Sequence, residues 1–311
     1  MTNKQIYKVA EHLFSIEMDN DSFIWNRMEE SYGPFKTDMT PDGNEGYLFE
    51  VSVSEDVPFE NEEVHGRFSQ MRTLYSNFGK GEPGFIEIAV YKDEEGLCIE
   101  FIQPGSSFVN GRLFLSKKYD KAKLYLYGTL LEKWNGLNTG VNFCYVLSGA
   151  CRNTVLTHAS CVTYKGKAYL FLGKSGTGKS THSRMWLNAL EGVVLLNDDH
   201  PVIRVHEDGN VVAYGSPWSG KTHCYKNMQA PIGGIIRISR APYNKARRLS
   251  VIESYASVMP TFAGISWEKD LADGRDRTIQ GIIRTVPCWV MECLPDEDAA
   301  RVCCKAVTGV S

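Results

Sequence analysis

The chain has 311 residues, 43% of them hydrophobic and 23% charged, which suits a soluble globular protein with room for two modest cores. Lysine and arginine total 34 against 37 acidic residues, and a net charge of -3 removes the electrostatic reason to expect a nucleic-acid partner. No run approaches the ~18 apolar residues of a membrane span, and the opening Met1-Thr2-Asn3-Lys4-Gln5 leads into no export signal, so no membrane partner and a cytoplasmic location are expected.

The first third reads as strands. Apolar and polar residues alternate over 47–53, 85–90, 97–102 and 112–115, each run bounded by Gly, Pro or Asp, and the pattern suggests a small antiparallel sheet with one wet face. A helix is predicted over 120–134, with Ala122, Leu124, Tyr125, Leu126, Leu130 and Leu131 on a broad apolar face and Asn135-Gly136 as its stop. The apolar stretch 140–149 suits helix or strand equally. The division expected is a β-rich N-terminal domain, 1–145, with a helix near its end, followed by a nucleotide-loop domain, 146–311. The nine cysteines form no CxxC pair, and Cys303 next to Cys304 suits neither zinc nor a redox dithiol, so they read as reduced thiols.

The strongest signal is the unbroken GxxxxGK[ST] match Gly173-Lys174-Ser175-Gly176-Thr177-Gly178-Lys179-Ser180, with Thr181 following. An apolar strand over 168–172 feeds it and a helix-compatible run from Lys179 to about Leu190 leaves it, the context a phosphate-cradling P-loop requires. Glycines let successive backbone amides turn toward phosphate oxygens, and the helix start adds its positive dipole end. Lys179 can reach the outer phosphates of ATP, and the Ser180 hydroxyl can join the shell of Mg²⁺. A second apolar run ends in Asn197-Asp198-Asp199, carboxylates that can hold a metal or take a proton from an attacking hydroxyl.

Spacing limits the architecture. Only Lys165-Gly166 separates the runs 160–164 and 168–172, and 206–210 separates 202–205 from 211–214, so both pairs read as hairpins. These gaps are too short for crossover helices, and the sheet is expected to be mixed.

With these motifs in place, the segment from about Thr157 to Arg240 resembles the catalytic domain of the HPr kinase/phosphorylase family and, more distantly, phosphoenolpyruvate carboxykinase. The likeness rests on Thr157-His158-Ala159-Ser160 before the loop, the loop itself and the Asp pair, in that order and at similar spacing; Asp198-Asp199-His200 leans toward the carboxykinases. The resemblance implies a mixed-sheet α/β P-loop core plus the β-rich N-terminal domain, with ATP and Mg²⁺ as nucleotide and metal. It also implies His158 near the phosphates or a carboxylate, Asp198 as general base and Asp199 with Ser180 at the metal. The function so implied is transfer of the γ-phosphate to a hydroxyl acceptor, a protein serine or a small-molecule alcohol. A small carboxykinase-like enzyme and a non-catalytic nucleotide sensor stand as alternatives, and oligomeric state, a homo-oligomer included, stays open.

Second-tier candidates follow from residue chemistry. The stretch 215–222 could bring Lys221 to a phosphate and Trp218 against a base or acceptor. Arg237 and Arg240 sit near the end of an apolar run, where a planar guanidinium could meet phosphoryl charge. The basic run 245–248 reads as a solvated face, and His182 reads as a surface position on the loop helix.

Overall fold

In the computed structural model, which describes residues 1–42, 46–55, 57, 66–80, 85–220 and 222–309, the chain forms two units, Met1–Ser148 and Gly149–Ser311. Among the described residues each is built on a nine-stranded mixed sheet, so the protein belongs to the mixed α/β class.

The first unit carries β1 (Thr2–Val9), β2 (His12–Asp19), helix α1 (Ile24–Tyr32), β3 (Lys36–Thr37), β4 (Glu50–Glu55), β5 (Arg72–Ser76), β6 (Glu87–Lys92), β7 (Gly96–Ile102), β8 (Gly111–Ser116), β9 (Lys121–Leu126) and helix α2, which begins at Leu130. The strands lie in the order β3-β1-β2-β4-β9-β8-β7-β6-β5. This sheet is larger than the small one expected and is not purely antiparallel, because β4 runs parallel to both β2 and β9. The β1–β2 hairpin escaped sequence reading: its turn residues Ala10 and Glu11 both take positive φ, 48° and 66°, without the Asn-Gly signature that announces such turns. Tyr32 Oη of α1 donates to Asn138 Oδ1 of α2 (2.9 Å), and Tyr145 Oη ties α2 to the sheet by donating to the Val9 carbonyl of β1 (2.9 Å). Between them Phe14 stacks on Phe49, with ring centroids 4.9 Å apart.

The helix expected over 120–134 is instead a strand followed by a helix. Ala122, Leu124 and Leu126 are the alternate buried residues of β9, a period of two that the neighbouring Tyr125 masks in the sequence. Asn135-Gly136 does not end α2, which runs Leu130–Ala150 and absorbs the ambiguous stretch 140–149. Its glycines serve close packing: a Cβ on Gly136 would lie 2.9 Å from Leu126 Cδ2, and one on Gly140 2.6 Å from Leu124 Cδ2.

The second unit holds β10 (Thr154–Leu156), β11 (Ala159–Tyr164), β12 (Lys167–Leu172), α3 (Lys179–Ala189), β13 (Val194–Asp199), β14 (Val202–Val205), β15 (Val211–Tyr214), β16 (Gln229–Arg240), β17 (Lys245–Arg248), α4 (Val251–Val258), α5 (Lys269–Thr285), β18 (Cys288–Cys293) and α6 (Glu297–Thr308). The main path is β10-β14-β15-β16-β12-β11-β13, with β18 joined to β16 and β17 to β18. Parallel pairing of β12 with β16 and of β16 with β18 sits among antiparallel neighbours, as the short hairpin gaps require. Lys165 and Gly166, with φ of 48° and 74°, make the tight β11–β12 turn.

Side-chain alternation in β12 divides the core in two. Ala168, Leu170 and Leu172 face a layer that includes Val258 of α4 and Ile279 and Ile282 of α5. Tyr169 and Phe171 face Met185 and Trp186 of α3 and Ala300, Cys303 and Cys304 of α6. The sheet is thus covered on both faces, which leaves its strand ends as the place for polar chemistry. All nine cysteines are free thiols, and eight are buried. The basic run is β17, solvated as expected but paired in register with β18.

Candidate functional site

Strand pairing assembles the site. Ala159 at the start of β11 pairs with Leu172 at the end of β12 and with Asp199 at the end of β13. Both neighbours oppose β11, so they run parallel to each other and leave the sheet at one edge. His158, immediately before Ala159, belongs to that edge, held by its amide donating to the Thr261 carbonyl (2.8 Å). The glycine-rich loop and the Asp pair therefore meet because one strand separates their strands.

The loop itself leaves β12 and enters α3 through Gly178, which caps the helix in the left-handed region (φ 109°, ψ 21°) with no capping side chain. The first amides of α3 consequently lack the usual side-chain acceptor, the condition under which a helix start receives an anion. Gly176 also has positive φ (75°), and open space surrounds its missing Cβ. Thr177 Oγ1 donates to the Lys174 carbonyl (2.7 Å) and braces the turn, while Lys174, Ser175 and Gly176 remain exposed. Lys179 is buried, and its Nζ donates to the Gly173 carbonyl (3.0 Å). Burial pushes its amine below the ordinary lysine value, against the opposing pull of Asp199 and Asp198.

Asp199 lies between two imidazoles. Its Oδ1 is 3.3 Å from His158 Nε2 and its Oδ2 is 3.1 Å from His200 Nδ1. The rings stack with centroids 5.8 Å apart. Burial opposes ionisation of Asp199, but the His200 hydrogen bond and charge, then His158 and Lys179, outweigh it and hold the carboxyl below its usual range. Its side chain is 31% exposed, so a ligand can reach it. Burial, followed by the Lys179 charge, lowers the His158 pKa and leaves its imidazole neutral at pH 7, hence a hydrogen-bond partner to Asp199 rather than a cation.

Asp198 is nearly buried, and its Oδ2 accepts from Thr222 Oγ1 at 2.6 Å. Asn197 shapes the turn around both acids. Its Oδ1 accepts from the amides of Asp199 (3.0 Å) and His200 (2.9 Å). Its Nδ2 donates to Ser216 Oγ (3.2 Å) and to the Trp218 carbonyl (3.3 Å). The segment after β15 is thereby strapped over the carboxylates, and Gly220 fits there because a Cβ would sit 3.0 Å from the Asp198 carbonyl and 3.2 Å from Asp199 Cβ.

Most of the residues singled out from the sequence converge here, with exceptions. Arg240 Nη2 donates to the Gly176 carbonyl and so touches the loop. Arg237 is exposed on β16 beside Leu172. Lys221 lies outside the described residues. Trp218 is buried and packed, not presented to a ligand. His182 is fully buried, not at the surface: Phe171 lies edge-on to it at 4.8 Å and Trp186 Nε1 donates to its Nε2 (3.2 Å). Two site residues were missed as such, His200 and Asn197. Their adjacency to the Asp pair was the signal available, but which way their side chains turn depends on the strand end.

The Ser180 hydroxyl and the Asp199 carboxylate are oxygens of the kind that Mg²⁺ takes one or two at a time from a protein. Among the described residues no group of three or more His, Cys, Asp or Glu side chains is arranged to hold a metal alone. Among them, too, no helix is long and apolar enough to cross a membrane.

No protein-family model matches the chain, and no curated protein matches it. A solved structure described as the HPr(Ser) kinase/phosphatase from Coxiella burnetii is similar over 47% of this chain and 93% of its own, at 14% identity and a TM-score of 0.28.

Proposed function

We propose that this chain is an ATP-dependent phosphotransferase that passes the γ-phosphate to a hydroxyl group, on a P-loop core of the HPr kinase type. The supporting observation is that Lys179, at the head of α3, shares one sheet edge with Asp198 and Asp199 and feels the charge of both. A loop that only anchors phosphate has no need of two carboxylates beside it; a transfer reaction does.

In this reading the amides of Lys174 to Ser180 and the Lys179 ammonium hold the β- and γ-phosphates in line with the acceptor. The acceptor oxygen bonds to the γ-phosphorus as the bond to the β–γ bridging oxygen breaks, and ADP leaves. Asp198 receives the acceptor proton, its position fixed by the Thr222 hydroxyl. Asp199 and Ser180 are the residues that would hold Mg²⁺, which would supply neutralisation of phosphate charge. His158 and His200 orient Asp199. The acceptor is a protein serine or a small-molecule alcohol.

The test is to incubate the protein with γ-labelled ATP, Mg²⁺ and a lysate separated into protein and metabolite pools, and to follow the label by phosphorus NMR. Label should appear in one pool with stoichiometric ADP. Release as free phosphate alone, or no turnover with nucleotide bound, would overturn the transferase reading in favour of a hydrolase or a sensor.

A further inference from the structure

The loop has a second flank. On the side of β12 away from β11 and β13, the ends of β16 and β18 and the first turns of α3 enclose a cavity of about 530 Å³, within the size range of small-ligand sites. Its walls are mainly apolar, with Met185, Ile238, Leu294 and Pro295 among the lining, and the loop's own Thr177 and Gly178 form part of it. Arg240 also lines it, its guanidinium tied to the Gly176 carbonyl. So does His182, fully buried, whose Nδ1 has no hydrogen-bond partner among the described residues. Because Nε2 accepts from Trp186, the proton of the neutral ring is assigned to Nδ1, a donor buried behind the wall.

We propose that this cavity receives the base of the nucleotide whose phosphates the loop holds, so that the triphosphate runs across the sheet edge from β16 and β18 toward Asp198 and Asp199. The inference rests on the reading of residues 173–180 as a phosphate cradle. Three observations support it. The cavity is continuous with the loop, which supplies two of its lining residues. Its apolar walls suit a flat heteroaromatic ring, and the tethered guanidinium of Arg240 offers the ring a planar cation. The acids lie on the opposite flank, so a nucleotide anchored at both ends presents its terminal phosphate to them.

The experiment compares ATP with inorganic tripolyphosphate, both with Mg²⁺, by calorimetry on the full chain. The wild type should bind ATP at least tenfold more tightly than tripolyphosphate. Ala241→Trp and Leu294→Trp, which fill the cavity from its strand-end side, should each weaken ATP at least tenfold and change tripolyphosphate by less than twofold. The retained tripolyphosphate affinity also certifies that a variant is folded. Equal affinity of the wild type for the two ligands, or ATP weakening no more than tripolyphosphate in both variants, overturns the base assignment while leaving the phosphate cradle standing. Binding of neither ligand to the wild type overturns both.

Discussion

His158 Nε2 and Asp199 Oδ1 are 3.3 Å apart, although the β11–β12 hairpin, a glycine-rich loop, a helix and the rest of β13 separate them in the chain. Pairing of Ala159 with Asp199 puts them there, so the contact between histidine and acid follows directly from strand register. A shift of β13 by one residue would turn Asp199 to the other face of the sheet and dissolve the site.

Lys179→Ala should weaken binding of Mg²⁺-ATP by about tenfold to a hundredfold, the worth of a charge-assisted hydrogen bond to phosphate. Among the described residues the same variant loses one hydrogen bond of the free protein, from Nζ to the Gly173 carbonyl. Calorimetry and a melting curve together check this: affinity should fall while the melting temperature moves little.

Asp198→Asn should keep nucleotide affinity within a few-fold and lower phosphate transfer by about 10² to 10⁴, the usual contribution of a positioned general base. The amide oxygen can still accept from Thr222 Oγ1, so the strap over the site is retained. Transfer at the wild-type rate in this variant would remove Asp198 from the proton's path.

Asn197 is wholly buried and binds five backbone or hydroxyl groups on two segments. Asn197→Ala leaves several of them unsatisfied, and we expect a loss of about 3 kcal/mol in urea unfolding, together with loss of transfer. Asn197→Asp keeps the acceptor for the Asp199 and His200 amides and should lie between the two. Wild-type stability in Asn197→Ala would show that the strap does not depend on it.

His182 is buried without a charge partner, and burial lowers its pKa to about 4. The unfolded chain binds this proton below about pH 6.5 and the folded one only below about 4. Stability from this group is therefore complete above pH 6.5 and declines as pH falls from there to 4. Between pH 7.5 and 5 the loss should be ~2 kcal/mol. His182→Gln, which keeps an acceptor for Trp186 Nε1 and cannot titrate, should flatten that part of the pH profile of urea unfolding; an unchanged slope would refute the assignment.

Where the physics is local, the chain alone reveals it. The glycine-rich turn between β12 and α3 was legible from residues 173–180 because the glycines that permit it are written in order and its neighbours are consecutive. The β11–β12 hairpin was legible because two residues leave no other connection. Other features resisted for equally local reasons: Tyr125 interrupts the alternation of β9 and mimics a helical face, and Asn135-Gly136 imitates a helix stop while Gly136 serves close packing against Leu126.

What only the tertiary structure decided is which distant residues meet. Aspartate between two histidines, Asn197 bridging to the segment after β15, His182 inside the core and the apolar cavity beside the loop all depend on strand order and on the direction each side chain takes at a strand end. Sequence spacing fixes a turn, whose energy lies between neighbours along the chain. A site edge is fixed by pairing between strands far apart along it, and no local pattern encodes that choice.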